Sequence, residues 1–188
     1  MEALWISTLI VAIAEIGDKT QLLAIVLAAK FRKPVPIILG ILAATLVNHG
    51  LAAGLGVLIS EFLDGVWFRV LVAISFLAMA AWALIPDKED EDAATRKSGS
   101  VFITTLIAFF LVEIGDKTQI ATTLLGARFE DIVFVTLGTT LGMMIANIPA
   151  VLLGEAATRI IPLKYVRWIA AALFAVLGVW LLIDIFLT

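Results

Sequence analysis

The sequence predicts an all-α membrane protein with six transmembrane helices, built as two inverted repeats of three helices with both termini outside. Three observations predict this class. The 188-residue chain is 62% hydrophobic with a mean hydropathy of +1.11, which is more apolar than a soluble domain of this size requires. The apolar stretches are near-continuous and do not alternate, which argues against a transmembrane barrel. One charged motif also occurs twice in the chain.

Six apolar stretches are long enough to cross a hydrocarbon core of about 30 Å as helices. They span residues 3–29, 35–59, 66–86, 100–127, 132–158 and 165–187. Pro34 suits the restart of a helix after a short break, and Pro86 suits the end of the third helix. The hydrophilic residues 87–99 are predicted to form a solvated linker.

The two halves of the chain align almost without gaps, which indicates a duplication. Glu15 recurs 98 positions later as Glu113, and the same offset pairs Phe31 with Phe129, Gly40 with Gly138, Gly56 with Gly154, Arg69 with Arg167, Phe76 with Phe174 and Trp82 with Trp180. We therefore divide the chain into a first three-helix repeat (1–86), a cytoplasmic linker (87–99) and a second repeat (100–188). Because three is odd, the second repeat enters the membrane from the opposite side, an arrangement typical of secondary transporters.

Basic residues outside the motif are shared unevenly between the two membrane faces, which predicts the orientation. Arg69 and Arg128 fall on one face. Nine fall on the other, which we assign to the cytoplasm: Lys30, Arg32, Lys33, Lys88, Arg96, Lys97, Arg159, Lys164 and Arg167.

Residues 15–21, Glu-Ile-Gly-Asp-Lys-Thr-Gln, reappear unchanged as residues 113–119 in the middle of the fourth apolar stretch. A charge at bilayer depth costs about 3 kcal/mol or more, so it indicates function unless it belongs to a structural ion pair. Two identical copies at symmetric depth favour function. The lysines of the motif, Lys19 and Lys117, either balance the acids when the site is empty or extend to the interface without further role.

In a continuous helix, the glutamate and aspartate of each motif share one face, and the glutamine follows one turn later. The intervening Gly17 and Gly115 would allow close helix approach or local unwinding. Packing about a pseudo-two-fold axis would bring together the four predicted metal ligands, Glu15, Asp18, Glu113 and Asp116, and four possible additional ligands, Thr20, Thr118, Gln21 and Gln119.

These ligands are hard oxygens, which suit Ca²⁺, Mn²⁺ or Mg²⁺. The absence of cysteine and the single histidine make a zinc or copper site a poor fit. Mg²⁺ loses its water reluctantly, so Mn²⁺ or Ca²⁺ is favoured. Four acids and two lysines total −2, which one divalent cation neutralises. Without metal, crowded buried carboxylates bind protons, so metal and protons would compete for one site.

Polar residues on the second and fifth spans are secondary candidates. Asn48 and Asn147 are possible ligands or helix–helix hydrogen-bonding groups. The repeat register pairs Asn147 with His49 rather than Asn48, so which of the two neighbours faces the site stays open. His49 is either a proton-coupling residue or structural. The spacings Gly50-x-x-x-Gly54 and Gly138-x-x-x-Gly142 predict close-packed helix faces.

The doubled Glu-x-Gly-Asp-(Lys/Arg)-(Thr/Ser) pattern resembles the calcium/manganese cation antiporter family, formerly an uncharacterised transmembrane family that includes bacterial manganese exporters. The resemblance covers essentially the whole chain. It implies that Glu15, Asp18, Glu113 and Asp116 bind a cation. It also implies that Mn²⁺, or Ca²⁺, leaves the cytoplasm in exchange for H⁺ or another cation such as Na⁺, without a cofactor. The short chain is expected in a bacterial inner membrane, and a monomer already contains both repeats.

Two other classes of function compete with a transporter. An intramembrane aspartyl protease could use Asp18 and Asp116, although such a dyad requires neither the paired glutamates nor the lysines. A passive divalent-cation channel would require an open polar pathway, and the spans offer few polar lining groups outside the motif.

Overall fold

The structure is a computed structural model that describes residues 1–63, 65–85, 100–154 and 163–187. Within these ranges every regular element is a helix, which confirms the all-α class. Pro86, the predicted linker 87–99 and residues 155–158 at the end of the predicted fifth span lie outside the described residues.

Four helices precede residue 86 and four follow residue 99 in the described ranges. The first four are α1 (Glu2–Glu15), α2 (Lys19–Phe31), α3 (Pro34–Phe62) and α4 (Val66–Ala83), and the second four are α5 (Val101–Glu113), α6 (Lys117–Phe129), α7 (Ile132–Leu153) and α8 (Leu163–Leu187). Helices α3, α4, α7 and α8 are each long and apolar enough to cross a membrane. They begin within two residues of the predicted starts, so these four predicted helices are confirmed.

The predicted continuous helices over 3–29 and 100–127 are wrong. Each is a pair of helices of 13 or 14 residues, separated by three residues of the motif. The break follows from backbone geometry: Ile16 is extended, and Gly17 and Gly115 have φ values of +79° and +76°, which only glycine adopts readily. Local unwinding at the glycines is thus confirmed, and the shared helix face of each glutamate and aspartate is wrong.

The motif itself satisfies the backbone groups that the break releases. The Gly17 amide donates to Gln21 Oε1 at 2.8 Å, and the Gly115 amide donates to Gln119 Oε1 at 2.7 Å. Non-helical backbone at membrane depth requires such internal partners because lipid supplies none. A helix of 13 or 14 residues is only about 20 Å long, which is shorter than a bilayer core of about 30 Å.

The packing repeats with the sequence. A Cβ atom placed on Gly40 would lie 2.9 Å from the Phe102 carbonyl oxygen of α5, and one on Gly138 would lie 2.5 Å from the Leu4 carbonyl oxygen of α1. Leu4 and Phe102 are themselves 98 positions apart. The first helix of each set of four therefore lies against the third helix of the other set in the same way.

The helix contacts modify the glycine predictions. Gly142 lies against the Thr8 carbonyl of α1, with a Cβ position only 2.6 Å from the oxygen, so the face formed with Gly138 is confirmed. The face predicted at Gly50 and Gly54 is wrong, because a Cβ on Gly54 would have nothing within 4 Å. Instead, α3 approaches α6 through Gly56. The pattern of small residues alone does not say which glycine meets a neighbouring helix.

Candidate metal centre

The four acids of the two motifs lie at the ends of the broken helices. Glu15 and Glu113 end α1 and α5, and Asp18 and Asp116 are the N-cap residues of α2 and α6. Their exposed fractions are 0%, 0%, 4% and 3% respectively. A helix C-terminus carries partial negative charge, so the glutamates and the ends of their helices favour the same ligand, a cation.

The acids share one electrostatic neighbourhood. Glu15 is within range of the charges of Asp18, Glu113 and Asp116. Buried like charges repel strongly, because the low dielectric of the interior screens them little. The cluster therefore requires positive charge, whether from a cation, from protons or from lysine.

The Glu15 half-site consists of Glu15, Asp18, Thr20 and Asn147. Asn147 Nδ2 lies 3.4 Å from Glu15 Oε1 and donates to the Met143 carbonyl at 3.1 Å. Among the described residues, Glu15 Oε2 and Asn147 Oδ1 are buried without a hydrogen-bond partner. Such orphaned acceptors are unfavourable unless something else binds them. A cation would satisfy both.

The Glu113 half-site consists of Glu113, Asp116, Thr118 and His49. Thr118 Oγ1 lies 3.2 Å from Glu113 Oε2 and 3.3 Å from Asp116 Oδ2, within hydrogen-bond distance of both. His49 Nε2 lies 3.7 Å from Glu113 Oε2, which is beyond hydrogen-bond distance. In the described part of the chain, Glu113 Oε1 and both ring nitrogens of His49 have no hydrogen-bond partner.

The two lysines of the motif have different environments although their local sequences are identical. Lys19 Nζ lies 3.3 Å from Asp116 Oδ1, so it joins the motif of the first half to that of the second. Lys117 Nζ donates to the Ile85 carbonyl at 2.7 Å and lies 5.9 Å from the centre of the Trp82 ring. Lys19 therefore balances an acid of the opposite half-site.

The remaining sequence candidates take part in other contacts. The side-chain oxygens of Gln21 and Gln119 accept from the glycine amides of their own motifs. Thr20 Oγ1 donates to Asp18 Oδ2 at 3.3 Å. Asn48 Nδ2 donates to the Phe110 carbonyl at 3.1 Å, a bond between helices α3 and α5. Of the two neighbours left open by the sequence, His49 is the one that faces a motif glutamate.

The set of four carboxylate ligands stays a prediction. Within the described ranges, no group of three or more histidine, aspartate or glutamate side chains is placed to hold a metal ion. The helix break moves Asp18 and Asp116 from the helices of the glutamates to the starts of the next helices. Asp116 is also engaged by Lys19. The sequence did not reveal this ion pair between the two motifs.

Similarity to known proteins agrees with a cation site. The chain is 49% identical over 179 residues to a Vibrio cholerae protein named "Putative manganese exporter", covering 95% of this chain and 89% of that protein. It is 27% identical over 199 residues to the rice proteins named "GDT1-like protein 3", covering 92% of this chain and 71% of theirs. No solved structure matches the chain.

The sequence model of a transporter family matches both halves of the chain, over residues 3–91 and 101–187. The two matched segments together include both motifs and both broken helices. The family consists of transporters and not of enzymes, so the protease alternative is set aside. The chain therefore belongs to the GDT1 family of divalent cation/proton antiporters.

Proposed function

We propose that the protein exports a divalent cation from the cytoplasm in exchange for H⁺, with Mn²⁺ as the cation and Ca²⁺ as the second candidate. The family supports cation/proton exchange, and the name of the Vibrio cholerae relative supports manganese export. Na⁺ is the alternative counter-ion. We place the protein in the inner membrane of a bacterium with both termini outside, as the distribution of basic residues favours.

One observation supports the proposal most: buried acids lie at equivalent breaks in two helices, and Glu15 Oε2 and Glu113 Oε1 are buried without a hydrogen-bond partner in the described part of the chain. Discontinuous helices whose ends meet inside the membrane are typical of ion sites in secondary transporters. We propose Glu15, Asp18, Glu113 and Asp116 as ligands of the transported cation. Asn147 supports the site at Glu15, and Thr118 supports it at Glu113 and Asp116.

The same carboxylates also account for exchange. In the proposed cycle, the cation displaces Lys19 from Asp116 and neutralises the acids, and on the other side of the membrane protons replace the cation. Cation and protons occupy one set of oxygens and exclude each other. The two inverted repeats, 1–86 and 100–188, connected by the linker 87–99, would then rock around this site to expose it alternately.

The cavity that reaches Asp18 is small. It is lined by residues that include Gly17, Asp18 and Lys117 and has a volume of about 20 Å³, which is room for about one water molecule. A channel requires a continuous wet pathway through the protein. The burial of all four acids and the small size of this cavity fit a carrier better than a channel.

A transport assay tests the proposed exchange. We expect purified protein in liposomes to move Mn²⁺ onto an enclosed metal-sensitive dye when the interior is made acidic, because protons leaving the liposome drive the cation inward. A matched liposome without a pH gradient should show much slower entry. Entry of Mn²⁺ at one rate with and without the gradient would contradict proton coupling and point to Na⁺ or to uniport.

The contact of Lys19 with Asp116 gives a second prediction. We expect Lys19→Gln to lower the Mn²⁺ concentration for half-maximal transport and to slow turnover, because the cation no longer competes with the ammonium group but also leaves less readily. An ion pair contributes on the order of 1 kcal/mol, which corresponds to roughly fivefold in affinity. Concentration-dependent uptake measures both quantities.

The exposed Lys33 at the start of α3 offers a matched control, and Lys33→Gln should leave both quantities unchanged. If Lys19→Gln also transports like the unmodified protein, Lys19 does not compete with the cation.

A further inference from the structure

The two half-sites differ at one equivalent position. Asn147 lies beside Glu15, and the residue 98 positions earlier, His49, lies beside Glu113. Both side chains are 0% exposed. The motif residues are identical, so this pair is one chemical difference between the half-sites: an amide in one and an imidazole in the other. Asn147 Nδ2 also lies 3.1 Å from Met143 Sδ, and Thr45 is the residue equivalent to Met143.

The position of His49 suits a metal ligand. In the described ranges neither ring nitrogen has a hydrogen-bond partner, and Glu113 Oε1 has none either. Two atoms that bind one ion at about 2.1 Å each are separated by roughly 3 to 4 Å, and His49 Nε2 and Glu113 Oε2 are 3.7 Å apart. That separation is too long for a hydrogen bond and suits a shared ion.

A nitrogen ligand changes which ions the site accepts. Ca²⁺ and Mg²⁺ take oxygen ligands almost exclusively, whereas first-row transition ions also bind imidazole well. A site of carboxylates, hydroxyls and amide oxygens alone would accept Ca²⁺ and Mn²⁺ alike. One imidazole in place of an amide oxygen favours the transition ion.

We propose that His49 is a direct ligand of the transported cation and the residue that selects first-row transition ions such as Mn²⁺ over Ca²⁺ and Mg²⁺. This inference rests on the proposed function, since it names the selectivity of the same site. It assigns the selectivity to the Glu113 half-site, and Asn147 is the equivalent residue in the Glu15 half-site.

The repeat supplies matched variants for the test. His49→Asn gives both half-sites the same amide, Asn147→His gives both the same imidazole, and the double variant exchanges the two. Uptake of Mn²⁺ into proteoliposomes is measured in competition with Ca²⁺. The ratio of Mn²⁺ uptake to Ca²⁺ uptake, the discrimination ratio, does not depend on how much protein is active. We expect His49→Asn to lower this ratio by roughly tenfold, the scale of a change in one ligand or its support. We expect the double variant to recover most of the loss.

A spectroscopic measurement tests ligation directly, because His49 is the only histidine in the sequence. Protein purified through a histidine-free tag and loaded with Mn²⁺ should show coupling of the electron spin to a nitrogen nucleus in pulsed electron paramagnetic resonance. Labelling histidine with the heavy nitrogen isotope should shift that coupling, and His49→Asn should remove it.

The outcomes separate this inference from the proposed function. An unchanged discrimination ratio in His49→Asn, or no histidine coupling on bound Mn²⁺, would overturn the role of His49 while Mn²⁺ transport by the unmodified protein still stood. Failure of the unmodified protein to bind or move Mn²⁺ would overturn the proposed function and this inference with it. A lower ratio together with loss of the coupling would establish His49 as the selective ligand.

Discussion

Glu15→Gln and Glu113→Gln should each abolish cation exchange while the protein still inserts and folds. Each substitution removes a fully buried carboxylate at the end of a short helix and leaves a neutral amide of nearly the same shape. The amide cannot release a proton or attract a divalent cation with full charge. We expect transport to fall at least about 100-fold, because the loss of one charged ligand is worth several kcal/mol in a site of low dielectric.

Proton-driven Mn²⁺ uptake into liposomes measures this loss, and gel filtration in detergent shows whether the variants are folded. Glu61→Gln is the matched control, because Glu61 is exposed in the last turn of α3. This variant should transport normally. Full activity in both motif variants would refute a site shared by the two half-sites. Loss in only one would assign transport to that half-site alone.

The largest effect on folding is expected from Gly56→Ala. A Cβ atom at this position would lie 2.0 Å from the Thr123 carbonyl oxygen and 2.7 Å from the Ala127 amide nitrogen of α6. Both are backbone atoms, so α3 and α6 must move apart to admit one methyl group. Overpacking costs about 1–3 kcal/mol, which corresponds to a Tm lower by roughly 2–12 °C in a chain of this size.

Gly54→Ala, one half-turn away on the same helix, separates the effect of the contact between Gly56 and α6 from the effect of helix propensity. Nothing lies within 4 Å of a Cβ at Gly54, and alanine favours a helix over glycine by about 1 kcal/mol. We therefore expect an unchanged or slightly higher Tm in detergent. Equal Tm values for the two variants would mean that α3 and α6 are not as closely packed as described.

Much of the fold could be predicted because apolar length and a repeated register are global signals. The long helices α3, α4, α7 and α8 needed only hydropathy. The breaks at Gly17 and Gly115 did not follow from the sequence, because the apolar stretch continues through them and a glycine is compatible with close packing as well as with a positive φ. Only the accepting glutamine, four residues later in each motif, hints at the turn.

The candidate site, like the fold, could be predicted only in part from the sequence. The acids were identified by their charge at bilayer depth, which is a property of the sequence. The contacts of the two lysines were not identifiable, because their neighbours in the chain are identical. The contact of Lys19 with Asp116 and that of Lys117 with the Ile85 carbonyl come from what lies opposite in the fold. The choice of His49 over Asn48 depended on helix rotation. The ungapped repeat paired Asn147 with His49 but left the choice between the two neighbours open.

The crossed packing of the two sets of helices has a consequence for how the chain is made. Helix α1 lies against α7, α3 lies against α5 and α6, and α4 lies against α8, whereas contacts within either set are few. When the ribosome has delivered α1–α4 to the membrane, the small-residue surface at Gly40 and Gly56 still has no counterpart. The first half is therefore incomplete by itself, and folding is completed only after the last helix emerges. In this sense the two halves of one chain pack against each other as two subunits of a dimer would.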